Sequence, residues 1–176
     1  MKTAQFVRIG SALCLAIGPA TLAGAQGFSD PAPIVDAFNE TCRRGFPDLA
    51  TIRQRAESQG WIRRSVRLIA ERSDPKLRNV APPEFLQKGD LTLILSGPNG
   101  LWNKTSCTIS VSAGKTLDTR GLADAVSAAL DGAQATVGRE KGIERAMWQV
   151  RSGMVVKASV SKLGQIRQAN LAVLTS

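Results

Sequence analysis

Residues 146–175 read AMWQVRSGMVVKASVSKLGQIRQANLAVLT. Three runs rich in apolar and β-branched residues, Ala146–Val150, Met154–Ser161 and Ile166–Thr175, are separated by Ser152-Gly153 and Leu163-Gly164. Strand-forming runs joined by such short glycine-bearing breaks are hairpins, because a parallel crossover needs a dozen residues or more. The chain therefore ends in a three-stranded antiparallel unit.

Further upstream, Leu91–Ser96 (LTLILS) is a fourth strand, and Gly97-Pro98-Asn99-Gly100 has the composition of a hairpin turn. Leu101–Lys104 and Ser106–Val111 follow as one interrupted strand or two short ones, with Cys107, Ile109 and Val111 on one face. Between the two strand groups, Asp118 or Thr119 caps a helix predicted over Gly121–Leu130. Leu122, Ala125, Val126 and Ala129 form its apolar stripe, and Gly132 follows its end.

The amino-terminal half is helical. Ser29 or Asp30 caps a helix with Pro31 in its first turn, carried by Ile34, Val35 and Phe38 to about Cys42. Phe46-Pro47-Asp48 turns the chain into a second helix through about Gln59, with Leu49, Ile52 and Ala56 inward. Gly60 ends that helix, and Trp61 is expected to fold back onto the pair. Over Ile62–Leu77 the pattern fits either a strand, through Val66, Leu68 and Ala70, or a short helix. Asn79–Gly89, with Pro82-Pro83, reads as a loop. The fold class expected is α+β: one small domain, a mostly antiparallel sheet with two N-terminal helices and one inserted helix packed on one face.

Residues 1–25 read as a cleavable export signal. Lys2 and Arg8 flank no acid, Ile9–Ile17 is apolar or small, Gly18-Pro19 breaks the helix, and Ala23-Gly24-Ala25 suits a signal peptidase. An uncleaved anchor needs about 20 apolar residues, and Gly10, Gly18, Pro19 and Gly24 interrupt this stretch. A lipoprotein reading of Cys14 fails because Leu13 before it is not small and Cys14 lies inside the apolar run. The organisation expected is a signal over 1–25, a disordered lead over 26–30 and one domain over 31–176, exported to the periplasm or beyond.

That address changes how the remaining composition is read. Cys42 and Cys107 are the two cysteines left, and two thiols in an oxidising compartment most often pair, so a disulfide is expected, the alternative being two separate buried thiols. A loop that long is worth roughly 4 kcal/mol on the chain-entropy model. Neither cysteine lies in a C-x-x-C pair, and histidine is absent, so neither has a visible source of activation as a reactive thiol. The absence of histidine also rules out Ser-His-Asp and Cys-His arrangements and removes the commonest metal ligand. No cofactor or metal motif is expected.

Removing Lys2 and Arg8 leaves 21 cations against 14 acids, a net charge of +7. In an exported chain this points to anionic lipid, glycan or an acidic protein rather than nucleic acid. Ten of the cations fall between Arg43 and Arg78 against only Asp48, Glu57, Glu71 and Asp74. Arg63, Arg64 and Arg67 beside Trp61 are the candidate anion-binding group, because guanidinium forks suit carboxylate and phosphate. The competing reading is a solvated surface.

Other motifs carry less. Ala113-Gly114-Lys115-Thr116 resembles the end of a phosphate-binding loop, but the full pattern needs glycine where Ile109 stands. The carboxylate pairs Asp118 with Asp124 and Glu140 with Glu144 are spaced like caps or surface charges. Phe38-Asn39-Glu40-Thr41-Cys42, Pro47-Asp48, Gly60-Trp61 and Ser106-Cys107-Thr108 together resemble a pattern in small secreted or periplasmic proteins of Alphaproteobacteria. The resemblance implies export and a disulfide; it implies nothing about activity and carries over no catalytic residues. The functional expectation is an exported, non-enzymatic binding or accessory protein of the bacterial envelope. The alternatives are a histidine-free hydrolase using carboxylates and a structural envelope protein.

Overall fold

The computed structural model describes residues 27–65, 82–98, 104–140 and 142–175. The expected signal over 1–25, Gln26, Arg67, the Val66–Leu68–Ala70 alternation and the Asn99-Gly100 turn tip lie outside them. Eight strands form one antiparallel sheet in the order β1-β2-β3-β4-β8-β7-β6-β5. They are β1 (Ile62–Arg64), β2 (Glu84–Lys88), β3 (Leu91–Ser96), β4 (Ser106–Ser112), β5 (Thr136–Glu140), β6 (Ile143–Arg151), β7 (Met154–Leu163) and β8 (Ile166–Thr175).

The terminal three-stranded unit is present as its sequence suggests. Arg151 pairs with Met154 and Leu163 with Ile166 across turns whose Gly153 and Gly164 have φ of 74° and 62°. Glycine is the residue that adopts this left-handed conformation without a Cβ penalty. The unit does not stand apart. β8 inserts between β7 and β4, so the last strand of the chain joins the two strand groups at the middle of the sheet.

Period-two alternation then sorts β3, β4 and β6–β8 into two faces. Leu93, Ile109, Leu171, Ala158 and Ala146 lie in one row across the sheet, and Leu95, Cys107, Val173, Val156 and Trp148 in the next. All ten are buried and face the helices. The opposite face carries Thr92, Ser110, Asn170, Ser159 and Arg145 in register, and no described helix covers it. Ser110 is buried there because Gln168 Nε2 donates to its hydroxyl (2.7 Å) while the hydroxyl donates to Asn170 Oδ1 (2.9 Å). A buried hydroxyl needs such partners.

Three helices pack on the apolar face. α1 (Ala32–Ala37) continues without a break into a π-helical segment, Phe38–Arg43, where Phe38, Thr41 and Cys42 are buried. α2 (Leu49–Ser58) starts at Asp48, whose carboxylate accepts from Ala50 N and Thr51 N. It stops at Gly60, and Trp61, 4% exposed, folds back with its N–H on Ala56 O. α3 (Thr119–Ala129) is capped by Asp118 and buries Leu122, Ala123 and Val126. Thr119 fastens its first turn to the sheet by accepting from Val160 N (3.0 Å). Trp148 fastens its last turn, donating its indole N–H to Ser127 Oγ at 3.1 Å. The disulfide Cys42–Cys107, with Cα atoms 5.6 Å apart, ties the π-helical segment to β4.

Three differences from the sequence reading have local causes. Asn79–Gly89 was expected to be a loop, yet Glu84–Lys88 is β2. Only Leu86 of its five residues is fully buried, so Pro82-Pro83 masks a strand with a single core side chain. β5 was not anticipated because all five of its residues are exposed and show no apolar alternation. The lead over Gly27–Asp30 is ordered at Phe28, which forms an isolated parallel bridge with Ala113. A Cβ on Gly27 or Gly114 would come within 2.6 Å of the facing backbone, so two glycines permit this approach.

Candidate functional site

Of the candidate anion-binding residues singled out from sequence, Arg67 lies outside the described residues, and Arg63, Arg64 and Trp61 are placed as follows. Arg63 and Arg64 are neighbours in β1 and, by the pleat, project from opposite faces. Arg63 approaches Glu57 (3.6 Å) and Glu84 (3.4 Å) on the helix side, whereas Arg64 Nε donates to Gln87 Oε1 (3.0 Å). Trp61 belongs to the core.

Several other arginines serve the fold. Arg53 makes a two-point pair with Glu84, Arg145 pairs with Glu140, and Arg120 faces Glu144 at 3.7 Å. Arg167 donates to the carbonyls of Lys115 (3.1 Å) and Leu117 (2.6 Å), so the stretch resembling a phosphate-binding loop is a strand-to-helix connection held by a guanidinium. The carboxylate pairs are dispersed in the same way: Asp118 caps α3, Glu140 and Glu144 face arginines, and Asp124 is exposed. Among the described residues, no group of three or more His, Cys, Asp or Glu is placed to hold a metal ion.

What the fold does assemble is a pocket of about 180 Å³ where the π-helical segment meets the β6–β7 hairpin. Its floor is core: Phe38, Leu130, Val156 and Val173 are each 6% exposed or less. Arg43 and Arg151 line it as well, together with Val150, which is 39% exposed. The π geometry matters here. Phe38 and Arg43 are five residues apart, about 140° out of phase in an α-helix, whereas i→i+5 turns bring such residues onto one side. Turns of this kind are frequent at functional sites.

Both guanidiniums are steadied by backbone carbonyls. Arg43 Nη1 donates to Ala129 O at 2.8 Å, and Arg151 Nη2 to Phe46 O at 3.2 Å. Asp131 stands 4.0 Å from Arg43 and is almost wholly exposed, so it neutralises little. A guanidinium has five N–H donors, which leaves each fork with capacity for a ligand oxygen. The arrangement is an apolar hole with two oriented cations. Arg43 stood within the basic stretch noted in the sequence. Arg151 did not, and the glycine turn beside it was the only local signal.

A second recess, of about 330 Å³, lies on the open sheet face between Lys104, Lys157, Met147, Val155 and Leu174. It is also cationic. No family model matches the chain, and no curated protein or solved structure matches it.

Proposed function

We propose that this chain is an exported, non-enzymatic binding protein of the cell envelope, and that its ligand is a small anion with an apolar part. The observation that carries this reading is the pocket in which Arg43 and Arg151 border a floor of Phe38, Leu130, Val156 and Val173. Its volume, about 180 Å³, suits one aromatic ring or a short alkyl segment, since a dry cavity of about 150 Å³ accepts benzene. The two forks suit a carboxylate, phosphate or sulfate on that segment. The disulfide supports an oxidising location.

Calorimetric titration with hexanoate, hexyl phosphate, hexanol and hexylamine tests the reading. The two anions are expected to bind, with affinity falling as salt rises, and the alcohol and amine to bind at least tenfold more weakly. Arg43→Gln and Arg151→Gln should each remove most of that preference while the protein stays folded by circular dichroism. Equal binding of all four probes, or binding of none, would reject it.

A further inference from the structure

We infer that β5 is a dimerisation edge, pairing antiparallel with β5 of a second copy about a two-fold axis at Gly138. Among the described residues, β5 is the terminal strand of the sheet and pairs only with β6. Every one of its residues is exposed, so a row of backbone N–H and C=O groups faces outward. Proteins normally blunt such an edge with charged side chains, proline or a bulge. In β5 the charges are confined to Arg139 and Glu140 at one end, Thr136-Val137-Gly138 carries none and no proline, and the pairing with β6 is regular.

Gly138 is the second observation. A Cβ there would meet nothing within 4 Å, and its φ is not left-handed, so among the described residues neither packing nor a turn calls for glycine. Glycine inside a strand weakens it, and it often marks the close approach of another backbone.

Charge complementarity favours a second copy as the occupant. Between α3 and β5 runs a groove of about 570 Å³ whose lining includes Arg120, Ala123, Asp124, Ala133 and Val137, with Arg120 turned to Glu144 at 3.7 Å. Val137 is 49% exposed, and among the described residues neither Asp124 nor Arg139 has an ion-pair partner. With Gly138 opposite Gly138, Arg139 of the second copy lies against Val137 and reaches toward Asp124, while Glu140 faces Thr136. The two-fold axis repeats this contact, so each copy supplies a cation to Asp124 in the other's groove. A register centred on Arg139 would instead oppose like charges, which is unfavourable. The axis stands perpendicular to the sheet and keeps all the helices on one side of a continuous sheet.

Sedimentation equilibrium of the exported, processed protein is expected to show a reversible dimer. Arg139→Glu and Asp124→Arg should each dissociate it by at least tenfold, and the double variant, with the charges exchanged, should recover it. Gly138→Cys provides an independent readout. Directly opposed strand residues lie about 4.5–5.5 Å apart between Cα atoms, within disulfide range, so oxidation should link two copies. Thr136→Cys, opposed by Glu140, should not link. A monomer at all concentrations, a dimer indifferent to both charge reversals, or a folded double variant that stays monomeric would overturn the inference.

Discussion

Arg53 and Glu84 meet through two hydrogen bonds, Nε to Oε2 at 2.7 Å and Nη2 to Oε1 at 2.5 Å, and so clamp α2 to strand β2. Arg63 approaches the same carboxylate at 3.4 Å. Arg53 and Arg63 are thus engaged in holding helix to sheet. Each partner of the two-point pair is about one-third exposed, so solvent screening limits its worth. Glu84→Gln is expected to lower unfolding stability by about 1 kcal/mol, read as a lower urea midpoint at unchanged slope.

Ser127 offers a sharper case. Its hydroxyl is the hydrogen-bond partner of the Trp148 indole, which is 1% exposed beneath α3. Ser127→Ala leaves that N–H buried and unpaired, at a cost of about 1–3 kcal/mol. Trp148→Phe removes the donor as well as part of the ring volume. A chemical denaturation series of both single variants and the pair should show strong non-additivity, because the second change removes the group that the first one strands.

The Cys42–Cys107 bridge closes a loop with a sequence separation of 65 residues. Reduction, or the Cys42→Ser/Cys107→Ser variant, is expected to lower stability by roughly 4 kcal/mol. The same treatment should loosen the π-helical segment against β4. Hydrogen exchange should therefore accelerate first over Phe38–Arg43, ahead of β7 and β8. Uniform acceleration across the sheet would contradict that order.

Asp48 sets a pH dependence. The Thr51 hydroxyl, then the Thr51 backbone N–H, donate to its carboxylate and hold its pKa below the ordinary 3.8. A carboxyl group whose folded pKa is depressed contributes stability that is present above its unfolded pKa and lost as pH falls through the folded one. Asp48→Asn is therefore expected to be less stable than the parent at pH 7. The difference should narrow below pH 3.8 as the parent's carboxylate is protonated. A gap that stays constant from pH 7 to pH 2 would show that charge is not the source.

The parts of this fold legible in sequence are those whose signal is local. Gly153 and Gly164 announce their hairpins, Asp118 and Asp48 their helices, and Gly60-Trp61 a helix end with a returning aromatic. β2 and β5 lack such signals because an edge or near-edge strand needs few inward side chains. The placement of β8 at the centre is a long-range pairing that no window of residues encodes. The pocket was illegible for the same reason: Arg43 and Arg151 are brought together by tertiary structure. Arg63 and Arg64, adjacent in sequence, are parted by the pleat.

The π-helical turn gives the two bridged cysteines opposite tolerance to changes in chain length. An i→i+5 turn absorbs one residue more than an α-helix while keeping the helix on either side in phase. Losing a residue between Phe38 and Cys42 hands that turn back to α geometry and leaves Cys42 on the buried side, now three positions from Phe38. Losing one ahead of Cys107 in β4 exchanges the two faces of the strand and points the thiol away from the helices. A single deletion can therefore be absorbed ahead of Cys42 without breaking the bridge, while the spacing around Cys107 is fixed by the pleat.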